Sequence, residues 1–302
     1  MNSLDTKVLL VSGSGFLGSH LLHSLPSHFS SLHYSSRTNS ESKTSAKRFH
    51  LHLDQPIAPK MENLLRKNSF SLGIICAAVS DPEQCFLHPE FSHRVNVTAT
   101  QEMVDLFCEF GIKTIFFSSD LVFGGQKDLC TETESTCPTT LYGKQKVLAE
   151  EYVLGKHPTN LVLRVSKLMS TFPHPRNPLN PILEALCKNK ETKLFFDQFT
   201  TPLFIEDIAK AVFLASQRKL NGIYHLGMDQ KFSRLEVGML LSELLKRNPK
   251  YLIPSRMAEH PFREYRGPTN TLNSRKFELA TDFRFRRFSD SITEIKKNFL
   301  ID

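Results

Sequence analysis

Along the first half of the chain, short apolar runs rich in β-branched and aromatic side chains alternate with stretches whose apolar positions recur at three- and four-residue spacing. The runs predict strands at Lys7–Val11, Leu32–Ser36, Phe49–Leu53, Leu72–Ala77, Thr114–Ser118 and Leu161–Val165. Between them the clearest helical pattern runs from Phe91 to Phe110, with Val95, Ala99, Met103, Leu106, Phe107 and Phe110 on one face. Six strands joined by helical crossovers predict an α/β fold, a doubly wound parallel sheet of the Rossmann type.

After about residue 170 this rhythm breaks at the proline-rich segment Phe172–Pro181, and later helices are predicted at Ile205–Gln217, Arg234–Lys246 and Ser289–Phe299. The expected division is a nucleotide-binding domain over 1–166 and a smaller C-terminal substrate lobe over 167–302, with part of 205–226 returning to the first domain. The polar stretch Ser35–Ser45 reads as a mobile loop, and no internal repeat is visible.

Of the 302 residues 40% are hydrophobic and 23% charged, with 24 Phe, so a packed core is available and a disordered or fibrous chain is excluded. No apolar run has the roughly 18 residues needed to cross a bilayer, and Met1–Thr6 leads into the first strand without a signal-like stretch, so the expected location is the cytoplasm. The six Cys form no Cys-x-x-Cys pair; reduced, mostly buried thiols are expected, with neither a disulfide framework nor a metal site. The His20/His23 and His50/His52 neighbours lack metal-site context. Net charge is +7, and from Lys246 to Asp302 there are 13 Lys/Arg against 7 Asp/Glu. That basic segment suits a diphosphate-bearing substrate; nucleic acid is kept only as a minor alternative, since no binding motif frames the aromatics interleaved there.

Directly after the first strand stands Gly13-Ser14-Gly15-Phe16-Leu17-Gly18, leading into the helical pattern Phe16–Leu25. At a strand end, such a turn brings backbone N–H groups against a pyrophosphate and packs the helix closely on the sheet. Gly13, Gly15, Phe16, Leu17 and Gly18 are therefore the expected dinucleotide contacts. The second strand ends in Ser35-Ser36-Arg37-Thr38, offering Ser36 and a guanidinium where an acidic residue would favour NAD, so NADP(H) is preferred over NAD(H). Asp54 is placed near the adenine, and Ala77-Ala78 give small side chains along the cofactor's path.

Tyr142 and Lys146 lie four residues apart on one helix face, and Ser119 closes a buried strand 23 residues before the tyrosine. Hydride reduction of a ketone leaves negative charge on oxygen, which requires a proton donor. Tyr142 would supply the proton, Lys146 would lower the phenol's pKa toward neutrality and hold the cofactor ribose, and Ser119 would orient the carbonyl.

At these residues the chain resembles the extended short-chain dehydrogenase/reductase family, in which Asn96 also belongs to the cofactor set. Within it the resemblance is to the dTDP-4-dehydrorhamnose reductase branch and the homologous regulatory β-subunits of methionine adenosyltransferase. It is carried by Ser119-Asp120-x-Val-Phe, Tyr142-Gly-Lys-x-Lys146, Leu163-Arg164, Asp197-Gln198 with Pro202, and Arg266-Gly-Pro with Asn270 and Leu272. The resemblance implies NADPH-dependent reduction of the 4-keto group of a nucleotide-activated 4-keto-6-deoxy sugar, with Ser119, Asp120, Tyr142, Arg266 and Asn270 at the substrate. Leu121 and Lys167 stand where such reductases carry sugar-facing aromatics, and the chain has no Trp.

Leu121 also argues against a dehydratase, which needs an acid there, and Arg37 against an epimerase holding NAD. The alternative class is a cofactor-binding regulatory subunit, to which the C-terminal Phe299-Leu300-Ile301-Asp302 is similar. Expected partners are the nucleotide sugar and a second copy of the chain in a homodimer, with no membrane.

Overall fold

A computed structural model of the chain describes residues 4–37 and 45–299. Its centre is a seven-stranded, wholly parallel sheet. In chain order the first six strands are β1 (Leu4–Val11), β2 (Phe29–Ser36), β3 (Lys47–His50), β4 (Leu72–Ile75), β5 (Lys113–Ser119) and β6 (Leu161–Val165). A seventh, Gly222–Leu226, adds beside β6 from within the 205–226 segment and was not among the six expected. Across the sheet the order is Gly222–Leu226, β6, β5, β4, β1, β2, β3, which reverses direction between β4 and β1. Clefts form outside the C-terminal ends of the strands at such a reversal.

Alternation along the strands sends side chains into two separate cores. Val8 and Leu10 of β1 join Ile115, Phe117 and Leu163 on one face, packed under Leu17 and Leu21 of helix α1 (Phe16–Ser24) and Ile208, Val212 and Ala215 of the helix Ile208–Gln217. Leu9 and Val11 face the other way with Phe116 and Val162, against Met103 and Phe107 of the helix Ala99–Glu109 and Ala149 and Val153 of the helix Leu141–Lys156. A sheet buried on both faces explains why its strands read as continuous apolar runs.

Several expected elements differ in extent. β2 begins at Phe29 rather than Leu32, β4 ends at Ile75 rather than Ala77, and β3 spans Lys47–His50 rather than Phe49–Leu53, with Leu51 and Leu53 buried beyond the paired stretch. The helix expected over Phe91–Phe110 is broken into Pro89–His93, a widened π turn at Arg94–Thr98, and Ala99–Glu109. Residues 38–44 of the expected mobile loop, and Leu300–Asp302 of the tail similar to the regulatory subunits, lie outside the described residues. Cys85 and Cys130 are buried, whereas Cys76, Cys108 and Cys187 are half-buried and Cys137 is exposed, so the thiols are less buried than expected. No helix among the described residues is long and apolar enough to cross a membrane.

Beyond β6 the chain builds three small sheets. Leu203–Phe204 pairs with Leu168–Met169, Thr192–Phe195 with Leu252–Ser255, and Phe199–Thr200 with both Phe232–Ser233 and Thr269–Asn270. These pieces and the helices Asn180–Lys188 and Arg234–Leu245 wall the far side of the cleft, where Ile182 and Val237 face inward.

Candidate active site

The cleft has two connected parts. An outer cavity of about 730 Å³ is lined by Gly15, Ser36, Arg37, Asp54, Ala77 and Ala78. An inner one of about 610 Å³ is lined by Phe16, Leu17, Gly18, Ser119, Tyr142 and Lys146. Both volumes are of the size that holds small ligands. Ser12, Gly15, Ala78, Lys167, Arg176 and Arg266 border both parts.

The β1–α1 turn is built differently from the sequence reading. Its left-handed residue is Ser12, at φ 74°, and not Gly13. The Ser12 N–H donates to Ser35 Oγ at 2.8 Å, and Gly13 is tucked under the Tyr34 ring, where a Cβ would lie 2.6 Å from Cδ2. Gly13 lines neither cavity. The operative spacing is Ser12-x-x-Gly15-x-x-Gly18: a Cβ on Gly18 would sit 1.8 Å from the Ser12 carbonyl oxygen, whereas one on Gly15 would meet only Ser12 Oγ at 3.9 Å. Helix α1 begins at Gly15 without a side-chain cap and without an acidic residue in its first turn. Its uncapped N–H groups and positive dipole end form a cradle for an anion at the cleft. Ser118 Oγ, also lining the inner cavity, is buried without a hydrogen-bond partner. The cradle, the open space over Gly15 and this unused hydroxyl fit the pyrophosphate and polar groups of a dinucleotide.

The helix Leu141–Lys156 is started by Thr140, whose hydroxyl accepts from the Gly143 N–H at 3.1 Å. Gly143 allows that helix to approach the turn after β5, since a Cβ there would lie 2.2 Å from the Leu121 carbonyl oxygen. This approach brings Tyr142 to Ser119. Lys146, one turn on, donates to the Phe117 carbonyl oxygen at 2.9 Å and lies over the Phe116 ring at 4.5 Å. Tyr142, Lys146 and Ser119 are 7%, 2% and 8% exposed, and all three border the inner cavity.

Electrostatics differ from expectation at the phenol. Burial, reinforced by Asp120, pushes the Tyr142 pKa above its ordinary value, while the Ser119 hydroxyl pulls the other way. Desolvation dominates, so the phenol is held protonated rather than shifted toward neutrality as expected. Burial also lowers Lys146 to about 8. Asp120 is buried, accepts from Ser119 Oγ at 2.9 Å, and is raised by burial to about 6.

Other expected residues separate into two groups. Arg266 borders both cavities, donates to Glu83 at 3.1 Å and stacks over Phe262 at 3.9 Å; Asn270 lines the inner cavity. Asn96 lines neither cavity. It is fully buried at the π turn, where it accepts from the Val79 N–H at 2.8 Å and donates to the Val79 carbonyl and, at 2.7 Å, to Gln145 Oε1. It thus fixes the outer-cavity wall at Val79 and ties it to the residue beside Lys146. Arg164 is likewise structural, forming a two-pronged buried pair with Glu150 at 2.7 and 3.0 Å. Of the described lysines and arginines from Lys246 onward, only Arg266 borders the cleft; Arg286 and Arg287 pair with Asp207 and Asp229 instead. The cavity's further cations are Lys167, Arg176, Lys193 and Arg234, which sequence spacing alone did not bring together.

The chain matches the family model described as the RmlD substrate binding domain over residues 6–301. It belongs to that family. Among curated proteins this RmlD-family chain is similar to methionine adenosyltransferase 2 subunit beta of Xenopus tropicalis, 27% identical over 237 residues that cover 76% of this chain and 70% of the relative. It is similar to dTDP-4-dehydrorhamnose reductase of Escherichia coli (strain K12), 26% identical over 201 residues covering 63% and 67%. Among solved structures it is similar to dTDP-4-dehydrorhamnose reductase of Bacillus anthracis in complex with NADP. That match has a TM-score of 0.83 and 16% identity and covers 99% of this chain and 100% of that one. At such identity the structural likeness shows the Rossmann-type fold of this family member.

Proposed function

We propose that the protein is an NADPH-dependent reductase acting on the 4-keto group of a nucleotide-activated sugar. The observation that carries this reading is the opening of Ser119, Tyr142 and Lys146 onto one cavity beside an uncapped, glycine-cradled helix end.

The α1 end and its turn would hold the pyrophosphate, and Arg37 at the end of β2 the adenosine 2′-phosphate, favouring NADPH over NADH. A nicotinamide dinucleotide, when bound, supplies the hydride. Ser119 donates a hydrogen bond to the carbonyl and orients it. Tyr142, kept protonated by burial, gives its proton to the oxygen as charge develops there. Lys146, tethered to Phe117, places its charge beside that oxygen and the phenolate left behind.

Tyr142→Phe should lower turnover by about 10³, within the range for a lost general acid, while the NADPH dissociation constant changes less than threefold. Unchanged turnover would rule out the proposed donor. The similarity to methionine adenosyltransferase β-subunits over 76% of the chain favours one second reading, a cofactor-binding regulatory subunit. A stable complex with a methionine adenosyltransferase, together with no NADPH oxidation on any nucleotide 4-keto sugar, would establish that reading over the reductase.

A further inference from the structure

Directly beyond β6, Lys167 projects into the cleft where its two parts meet. Its carbonyl accepts from the Leu203 N–H, but its ammonium makes no hydrogen bond or ion pair with any described residue. Its place relative to the catalytic end is set by sheet register: Val165 pairs with Ser119, and the next residue, Ser166, donates to Asp120 at 3.4 Å. Lys167 therefore stands on the Ser119 side of the cavity. Arg234 and Arg266 offer planar guanidinium forks suited to phosphate, and each has a buried Nε without a partner. Lys167 is instead a compact point charge beside the group that orients the reacting carbonyl. Its side chain is exposed to the cleft, and desolvation by the surrounding wall, with Arg234 and Arg266, outweighs Asp120 and Asp81 and holds its pKa below the ordinary lysine range.

A ligand that displaces the cleft water leaves this ammonium facing the sugar ring. A neutral hexose offers it only hydroxyls, and a desolvated cation without an opposite charge is strongly penalised. Among the described residues, Asp120 and Asp81 act on this ammonium only through space, and neither forms an ion pair with it. Resting on the nucleotide-sugar reading above, we propose that the inner cavity is specific for a nucleotide sugar whose hexose carries a carboxylate, with Lys167 as the carboxylate's partner.

Calorimetric titration of the full chain, saturated with NADP, with UDP, UDP-glucose and UDP-glucuronic acid tests this. UDP-glucuronic acid should bind at least tenfold more tightly than UDP-glucose. In Lys167→Met the two should fall within twofold of each other while UDP changes less than threefold, and Lys167→Arg should restore most of the preference. Equal affinity of the two sugars for the unsubstituted protein, or a preference that survives in Lys167→Met, would overturn the role of Lys167. A loss of NADP affinity in Lys167→Met, with the sugar preference intact, would overturn it by assigning the ammonium to the cofactor. Failure of all three nucleotides, and of their dTDP counterparts, to bind would overturn the nucleotide-sugar reading itself and this assignment with it.

Discussion

The Lys146 ammonium donates to the carbonyl oxygen of Phe117 at 2.9 Å, joining the helix that carries Tyr142 to the strand that ends in Ser119. One hydrogen bond thus fixes the relative placement of all three candidate catalytic side chains, and it requires the lysine to be buried where its charged form is disfavoured.

Burial lowers Lys146 to about 8, so its charge is lost within an accessible pH range. A reductase with this ammonium at its centre should show kcat/KM steady up to about pH 8 and falling above it. Lys146→Met should cut turnover about a hundredfold and remove that limb. A wild-type profile flat to pH 9.5 would contradict the assignment.

Gly15 and Gly18 should respond oppositely to one added methyl group. Gly18→Ala drives a Cβ into the Ser12 carbonyl oxygen and should destabilise the fold by about 1–3 kcal/mol. Gly15→Ala meets only Ser12 Oγ at 3.9 Å, so its thermal midpoint should match wild type while NADPH binding weakens at least tenfold. Equal NADPH affinity in Gly15→Ala would remove the pyrophosphate from this turn.

Asp120 gives a pH-dependent stability with a definite sign. Its pKa rises from 3.8 to about 6 on folding, so the native state binds more protons between those values, and the protein loses stability as pH climbs through that window. At about 1.36 kcal/mol per unit this amounts to about 3 kcal/mol. Asp120→Asn should therefore be more stable than wild type at pH 7, with the gap closing toward pH 4, as read from urea midpoints. A gap independent of pH would place the desolvation elsewhere.

Arg37 borders the outer cavity at the end of β2, and it has no partner among the described residues. NADPH should therefore raise the thermal midpoint more than NADH at equal concentration. Arg37→Ala should weaken NADPH about 10- to 100-fold, the worth of a charge-assisted hydrogen bond, and leave NADH nearly unchanged. Equal shifts with both cofactors would overturn the preference for NADPH.

Much of this protein was legible in one dimension. Strand alternation, helical spacing and the glycine turn after β1 depend on residues a few positions apart, so the sequence by itself determined the parallel sheet and placed Ser119, Tyr142 and Lys146 near strand and helix ends. Its reach ended where distant segments touch. Only the tertiary structure decided that Ser12, hydrogen-bonded to Ser35, takes the left-handed turn position, and that Asn96 supports Val79 from behind the wall. It likewise decided that burial raises the Tyr142 pKa against the pull of Ser119, and that the cleft's cations come from Lys167, Arg176 and Arg234 more than from the basic C-terminal segment. The physical reason is common to all four: desolvation, close approach and charge proximity are set by what packs around a group, and those neighbours are far away along the chain.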